Sequence, residues 1–250
     1  MKEPYTIHLD EVDSTNRYAL EFFHEFPDAT LVTARTQNAG RGRLNRRWTS
    51  PPDENIYASF IMKNLPDNNW QYAAMASSLA VLELLRSEAP EINAWLKWPN
   101  DVLCAERKIC GMLGEIKSGA DNKPLGIVAG IGVNVNMPPE TLAAIDQPAT
   151  SMLAETGRNF DVKKLVNRLA IFINEYYSIS FTCPRELYRR WREENLLIGR
   201  CIELETGNRR LTGTVIDLDD KGGMIFEHDG ERTTFYSGDI RINKQSITLT

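Results

Sequence analysis

Four arginines and two glycines fall within nine residues, Gly40-Arg41-Gly42-Arg43-Leu44-Asn45-Arg46-Arg47-Trp48, in a chain whose formal net charge is −5. Glycine lets backbone N–H groups come close to an anion, and guanidinium offers forked donors that match phosphate or carboxylate. Trp48 ends the segment with a flat apolar face. Phosphate donors beside one aromatic platform suit a nucleotide, or a mixed anhydride made from one. A basic loop that is simply solvated is the plain alternative. In Lys97-Trp98-Pro99-Asn100-Asp101 the proline stops regular strand pairing and presents Asn100 and Asp101 at a strand end, where α/β proteins tend to place ligand chemistry. A simple turn uses Pro-Asn-Asp in the same way. Lys108 stands at the entrance to a strand-like arm that carries Gly111 and Gly114, and glycine inside a strand implies close approach by a ligand or a neighbouring element.

The elements that must position these groups follow from periodicity and turn chemistry. Residues 5–9 alternate as a short strand, and Asp13-Ser14-Thr15-Asn16 precede Tyr18, Ala19, Phe22, Phe23 and Phe26 at helical spacing. Spacing alone favours a plain N-cap for Ser14, Thr15 and Asn16, although helix N-termini also serve polar ligands. A β-rich strand over 30–35 delivers Gln37 into the basic loop. Residues 55–62 form a mostly apolar strand, a buried Ala- and Leu-rich helix runs from about 69 to 88, and 93–98 is another strand. Residues 102–105 and 108–117 make a hairpin around Glu106-Arg107, and 125–136 is a glycine-peppered central strand whose polar groups, Asn134 and Asn136, come at its end. Pro138-Pro139 begins a loop, Thr150 and Ser151 cap a short helix ending at Gly157, Asp161 caps a longer one through Tyr177, and Pro184 opens a third to Glu194. Beyond 199 five short strands alternate with Thr206-Gly207-Asn208, Asp220-Lys221-Gly222-Gly223 and Asp229-Gly230 turns, as a small β-barrel needs. The boundary lies near residue 196, giving a large unit over 1–196 and a small one over 197–250.

Composition bounds the class. A 250-residue chain with 42% hydrophobic and 25% charged residues can bury a core unaided, and its acidic balance argues against a general nucleic-acid binder. Cys104, Cys110, Cys183 and Cys201 have no C-x-x-C spacing, and His8, His24 and His228 lie far apart, so no zinc site is expected. Sparse cysteine favours free thiols in a reducing cytoplasm, and no charged-then-apolar leader or membrane-length apolar run is present. Neither a P-loop nor a dinucleotide-binding glycine motif occurs.

Taken together and in order, Ser14-Thr15-Asn16, Gln37 with the Gly40 to Trp48 loop, Lys97-Trp98-Pro99-Asn100-Asp101, Lys108-x-x-Gly111-x-x-x-Glu115 and Gly130-Ile131-Gly132-Val133-Asn134 resemble the biotin protein ligases across nearly the whole chain. One departure is Asn45, where the family commonly has glycine; a small effect on loop mobility is expected, since asparagine tolerates positive φ. No N-terminal extension that could hold a helix-turn-helix precedes the first motif, so the resemblance is to the monofunctional form.

The resemblance implies an α+β fold: a mixed β-sheet flanked by helices, like class II aminoacyl-tRNA synthetases, as a catalytic biotin- and ATP-binding domain, with a small C-terminal SH3-like β-barrel. It also implies a two-step reaction. The biotin carboxylate attacks the α-phosphate of ATP, with Mg²⁺ present, giving biotinyl-5′-AMP and pyrophosphate; a lysine of a biotin carboxyl carrier domain, from acetyl-CoA carboxylase or a related carboxylase, then takes the biotin as an amide. By the same resemblance Arg41, Arg43 and Lys108 screen the two anions, with Asp101 orienting metal or the incoming amine, and no protein metal site is assigned. Biotin falls to Ser14, Thr15, Asn16, Gln37, Arg41, Gly42, Arg43, Lys108 and Gly111, and the adenylate end to Arg43, Trp48, Asn100, Lys108 and Asn134. The basic loop, lacking apolar anchors, is expected to be mobile when empty and to order over the intermediate. A lipoate ligase of the same fold, or a nucleic-acid-binding module using the basic loop, are the competing readings. A sheet edge could support a homodimer or carrier docking, and the sequence does not choose between them; no nucleic-acid or membrane partner is expected.

Overall fold

The computed structural model describes residues 4–66, 69–207 and 209–242, with the side chains of Asn45 and Ile242 also outside the description. Asn208 of one expected turn, Met1 to Glu3 ahead of the first strand, and the side chain behind the Asn45 expectation therefore lie outside the described residues. Seven strands, β1 (Thr6–Val12), β2 (Thr30–Gln37), β3 (Ile56–Met62), β4 (Ala94–Lys97), β5 (Asp101–Cys104), β6 (Arg107–Ser118) and β7 (Pro124–Val133), form one sheet in the order β1-β2-β3-β7-β6-β5-β4. Only β1 and β2 run parallel, so the sheet is mixed.

Alternation divides the sheet into two faces. Ile56, Ala58, Phe60 and Met62 of β3 and Ile127, Ala129, Ile131 and Val133 of β7 join the main core with α2 (Gln71–Glu88) and α5 (Val162–Thr182). α2 is buried nearly all round, as its run of Ala, Met and Leu requires. α5 is amphipathic, burying Leu165, Val166, Leu169, Ala170, Ile173, Tyr176, Tyr177 and Ser180. On the opposite face α1 (Thr15–Glu21) packs Ala19, with Phe23 just beyond it, on Val32, Ile61 and Val128. The rest of that face, with Tyr57, Gly130 and Gly132, lies under the cleft and is partly covered by Asn16 and Trp48.

Several boundaries move for local reasons. Regular helix in α1 stops at Glu21, and Phe22 to Phe26 continue as hydrogen-bonded turns whose rings stay clustered with Tyr18. α5 runs past Tyr177 to Thr182 because Ser178 and Ser180 donate their hydroxyls to Asn174 O and Tyr177 O instead of breaking the helix. Ser151 and Asp161 cap α4 (Met152–Thr156) and α5 through Ala154 N and Lys164 N, and Gly157 closes α4 in the left-handed region. Pro139–Ala143, within the expected loop, is a short helix, α3.

After α6 (Pro184–Glu193) come β8 (Cys201–Thr206), β9 (Arg209–Leu218), β10 (Met224–His228), β11 (Glu231–Phe235) and β12 (Asp239–Ile242), an antiparallel sheet ordered β11-β10-β9-β8-β12. Among the described residues no β11–β12 pairing closes it into a barrel. The two parts share one core: Leu187 and Trp191 of α6 cluster with Ile202, Val215, Leu218, Met224 and Phe226. Polar links reinforce the joint, with Trp98 Nε1 donating to Gly222 O at 2.9 Å and Arg192 forking onto Asp217. Among the described residues no helix is long and apolar enough to cross a membrane.

Candidate active site

Strand register gathers the chemistry. Lys97 pairs with Asp101, Asp101 with Gly111, Gly111 with Gly132, and Gly132 with Tyr57, so these five residues form one row across β4, β5, β6, β7 and β3. The next row on the same face is Ser59, Gly130 and Leu113. The two glycines in mid-row make a trough. A Cβ at Gly132 would meet the Trp48 indole, and one at Gly111 would lie 2.6 Å from Lys108 Cε and 3.0 Å from Trp48 Cζ3. The close neighbours implied by strand glycines are thus Trp48 and the Lys108 stem. Above the trough is a cleft of about 720 Å³, counting its open mouth.

Nearly all the residues anticipated from sequence line it: Ser14, Thr15, Asn16, Gln37, Arg41, Gly42, Arg43, Trp48, Asn100, Asp101, Lys108 and Gly111. Asn134 lies instead in an adjoining hollow that shares Trp48 and Lys108 with the cleft. It is buried there, donating through Nδ2 to Thr150 O at 2.9 Å.

The plain N-cap reading of Ser14 to Asn16 does not hold. Ser14 occupies the N-cap position, but its side chain makes no cap bond. The first helical donor, Thr15 N, is satisfied by Gln37 Oε1 at 2.9 Å, and the three residues Ser14, Thr15 and Asn16 are all buried. Asn16 spends its amide on Leu113 O, Glu115 Oε2 and the Ser59 hydroxyl, and it covers Gly130 so closely that a Cβ there would collide with Asn16 Oδ1.

The basic loop, expected to lack apolar anchors, is held by polar ones, within itself and from outside. It closes on itself, with Arg41 bridging Arg47, Gly42 N donating to Arg46 O at 2.7 Å and Trp48 N to Gly40 O at 2.9 Å. It is then pinned by Arg41 to Glu115 at 2.6 Å, Arg43 to Asn100 Oδ1 at 2.7 Å and to Gly238 O at 3.2 Å, and Arg46 to Asp239. The left-handed residue in the loop is Leu44 (φ 53°), 70% exposed. Sequence reasoning missed Asp239, at the start of β12, and Gly238 just before it, which carry no local signal pointing to a loop nearly two hundred residues earlier. Ser59, a small polar residue in an apolar strand, was a legible signal that was passed over.

Charge in the cleft is compensated internally. Lys108 Nζ lies 2.7 Å from Asp101 Oδ1, both side chains less than a fifth exposed, and 5.5 Å from the Trp48 ring centre. Lys97 Nζ donates to Ile240 O at 2.8 Å. Burial lowers the pKa of Lys97, a shift that Asp101 opposes and Lys108 increases. Burial likewise lowers that of Arg43, against the pull of Asp239 and Asp101. Desolvated cations of this kind gain more from an arriving anion than exposed ones do. Among the described residues no three His, Cys, Asp or Glu side chains gather as a metal cage, and Asp101 is engaged by Lys108. The carboxylates lining the cleft are Asp101 and Asp239, so a Mg²⁺ ion there would depend mainly on nucleotide phosphates and water for its ligands.

Comparison with known proteins agrees with this architecture. Residues 9–134 match the Biotin/lipoate A/B protein ligase family and residues 197–242 the Biotin protein ligase C terminal domain. The chain is similar to the bifunctional ligase/repressor BirA of Bacillus subtilis (strain 168), 30% identical over 246 residues, spanning 95% of this chain and 74% of that protein. It is similar also to the biotin--[acetyl-CoA-carboxylase] ligase of Paracoccus denitrificans, 29% identical over 93% of this chain and 98% of that one. The solved structure of the Aquifex aeolicus biotin protein ligase in complex with biotin and ATP superposes with a TM-score of 0.81 at 29% identity, covering 96% of this chain and 99% of that one. By sequence match across both of its parts and by fold, the chain belongs to the biotin/lipoate A/B protein ligase family.

Proposed function

We infer that the protein is an ATP-dependent biotin–protein ligase that makes biotinyl-5′-AMP and passes biotin to a lysine of a carrier domain. The observation that carries this is the cleft itself, where Arg41, Arg43 and Lys108 converge over a trough of glycines beside a polar pocket floor. Joining two anions is the obstacle in the first step, and fixed cations in a partly dried site lower that barrier most. Lys108 faces the junction of the biotin carboxylate and the α-phosphate, with Arg41 and Arg43 closing from the flap. The carboxylate oxygen attacks phosphorus and pyrophosphate leaves; the carrier amine then attacks the acyl carbon, and AMP leaves with the bonding pair.

Ser14, Thr15, Asn16 and Gln37 form the polar end that receives the ureido ring, and Gly42 and Gly111 let the apolar body lie close. Trp48, Asn100 and Asn134 hold the adenylate end. Asp101 holds Lys108 until substrate takes that ammonium, then is free to orient the carrier amine. Mg²⁺ arrives on the nucleotide phosphates, as is usual for a cation that keeps much of its water. The large unit over 1–196 houses this chemistry and the small one over 197–250 completes its wall. The relatives' names point to the acetyl-CoA carboxylase carrier as acceptor. Among the described residues β6 has no strand neighbour on its β5 side beyond Gly111, and this edge is where the carrier, or a second copy, would add. Dependence on ATP and the free thiols fit the cytoplasm.

The test is direct. Incubation with ATP, Mg²⁺ and biotin should yield biotinyl-5′-AMP by mass spectrometry. Product from lipoate but not from biotin would transfer the assignment to the lipoate branch, and product from neither would end it.

A further inference from the structure

Glu115 has no role in the scheme above, yet the best-connected polar chain in the cleft ends on it. Its Oε2 accepts from Arg41 at 2.6 Å and from Asn16 Nδ2 at 2.8 Å. Behind Asn16, the Ser59 hydroxyl donates to Asn16 Oδ1 at 2.6 Å and lies 2.8 Å from Thr15 Oγ1, and Thr15 N donates to Gln37 Oε1. Gln37 Nε2 in turn donates to Ser50 Oγ at 3.0 Å. One continuous polar chain therefore runs from the floor of the cleft to the flap, and among the described residues Glu115 links it to Arg41.

Arg41 is held in an unusual way. One terminal nitrogen is spent on Glu115, while its Nε is buried with no acceptor. A guanidinium normally satisfies such a donor, because leaving it buried and unpaired is costly. Arg41 lines the cleft, and a small shift of its side chain that bares Nε would let an oxygen acceptor arriving there relieve the deficit.

We propose that Glu115 is a positioning residue that grips Arg41 by one nitrogen, keeps its Nε–H unspent for the ligand, and couples the flap to the cleft floor through Asn16. Biotin seated on the Thr15 and Gln37 end then meets an arginine already in place. The identity of that ligand rests on the ligase reading; the grip on Arg41 does not.

The experiment is a double-mutant cycle. Biotin affinity by calorimetry, and KM for biotin and for ATP in pyrophosphate exchange, are measured for the wild type, Glu115→Ala, Arg41→Ala and the double variant. Glu115→Ala should weaken biotin binding about tenfold, the scale of one charge-assisted hydrogen bond. It should add little once Arg41 is gone, and it should raise KM for biotin but not for ATP. Glu115→Gln, which can still accept from both partners, should recover part of the loss. Equal losses with and without Arg41, with both KM values and the melting temperature moving together, would show a merely structural anchor and overturn the proposal. Should the wild type bind no biotin, the ligase reading fails, and the pair is then judged without ligand. A water-protected Arg41 Nε–H resonance that disappears in Glu115→Ala supports the grip, and its absence from the wild type overturns it.

Discussion

A methyl group on Gly132 would lie 2.6 Å from the indole nitrogen of Trp48. The bare strand surface at that point is what lets the flap tryptophan reach the sheet. Gly132→Ala is expected to push Trp48 off the trough. Because the obstructing ring belongs to a loop that can shift, the stability loss should fall at or below the ~1–3 kcal/mol typical of overpacking. The main effect should be a higher KM for ATP in pyrophosphate exchange, and an unchanged KM would show that Trp48 does not cover the nucleotide.

Lys108→Ala removes the ammonium that pairs with Asp101 and sits over Gly111. Adenylation should slow by about 10²-fold or more, as for loss of a principal electrostatic contact. Biotin-dependent exchange at the wild-type rate would contradict this role.

Arg43 joins the flap to Asn100 and to Gly238, just ahead of β12. Arg43→Ala should loosen both contacts, so biotinyl-AMP should appear free in the filtrate while the wild type retains it. Equal retention by the two proteins would remove Arg43 from closure.

Buried thiols should make the fold sensitive to alkali. Burial, aided by Glu155, pushes Cys104 up from 9.0 to about 11. Between those values the unfolded chain has lost a proton that the folded chain keeps, so the thiol's contribution is full below pH 9 and is lost as pH rises toward 11. The slope from one such group is at most about 1.4 kcal/mol per pH unit. Urea unfolding at pH 8 and pH 10.5 should show the decline, and Cys104→Ala should flatten it. Cys110, buried and also pushed up, should act in the same direction.

Trp98→Phe would delete the buried bond to Gly222 O and leave that carbonyl without its donor, at a cost of about 1–3 kcal/mol. Since the two sheets share one core, unfolding should remain a single transition at a lower midpoint. Two separated transitions would show that the small sheet melts on its own.

Much of the architecture was legible because its signals are local. Apolar runs bounded by turn residues marked β3 and β7, and Ser151, Gly157 and Asp161 marked helix ends through bonds spanning only a few residues. The candidate site was legible as separate pieces; their meeting depends on the register that aligns Asp101, Gly111 and Gly132, which no single segment encodes. Ser14 misled because a capping residue type was present while Gln37, twenty-two residues away from Thr15, supplied the acceptor. The polar anchors of the flap, Glu115, Gly238 and Asp239, were not legible because they are distant in sequence.

Gly238 and Ile240 hold Arg43 and Lys97 through main-chain oxygens. Side-chain substitution can erase Asp239 from this seam, but it cannot erase a peptide carbonyl. The tethering of flap and cleft wall is thus inherited with the path of the backbone through Gly238 and Ile240, and does not depend on the polarity of the side chains there.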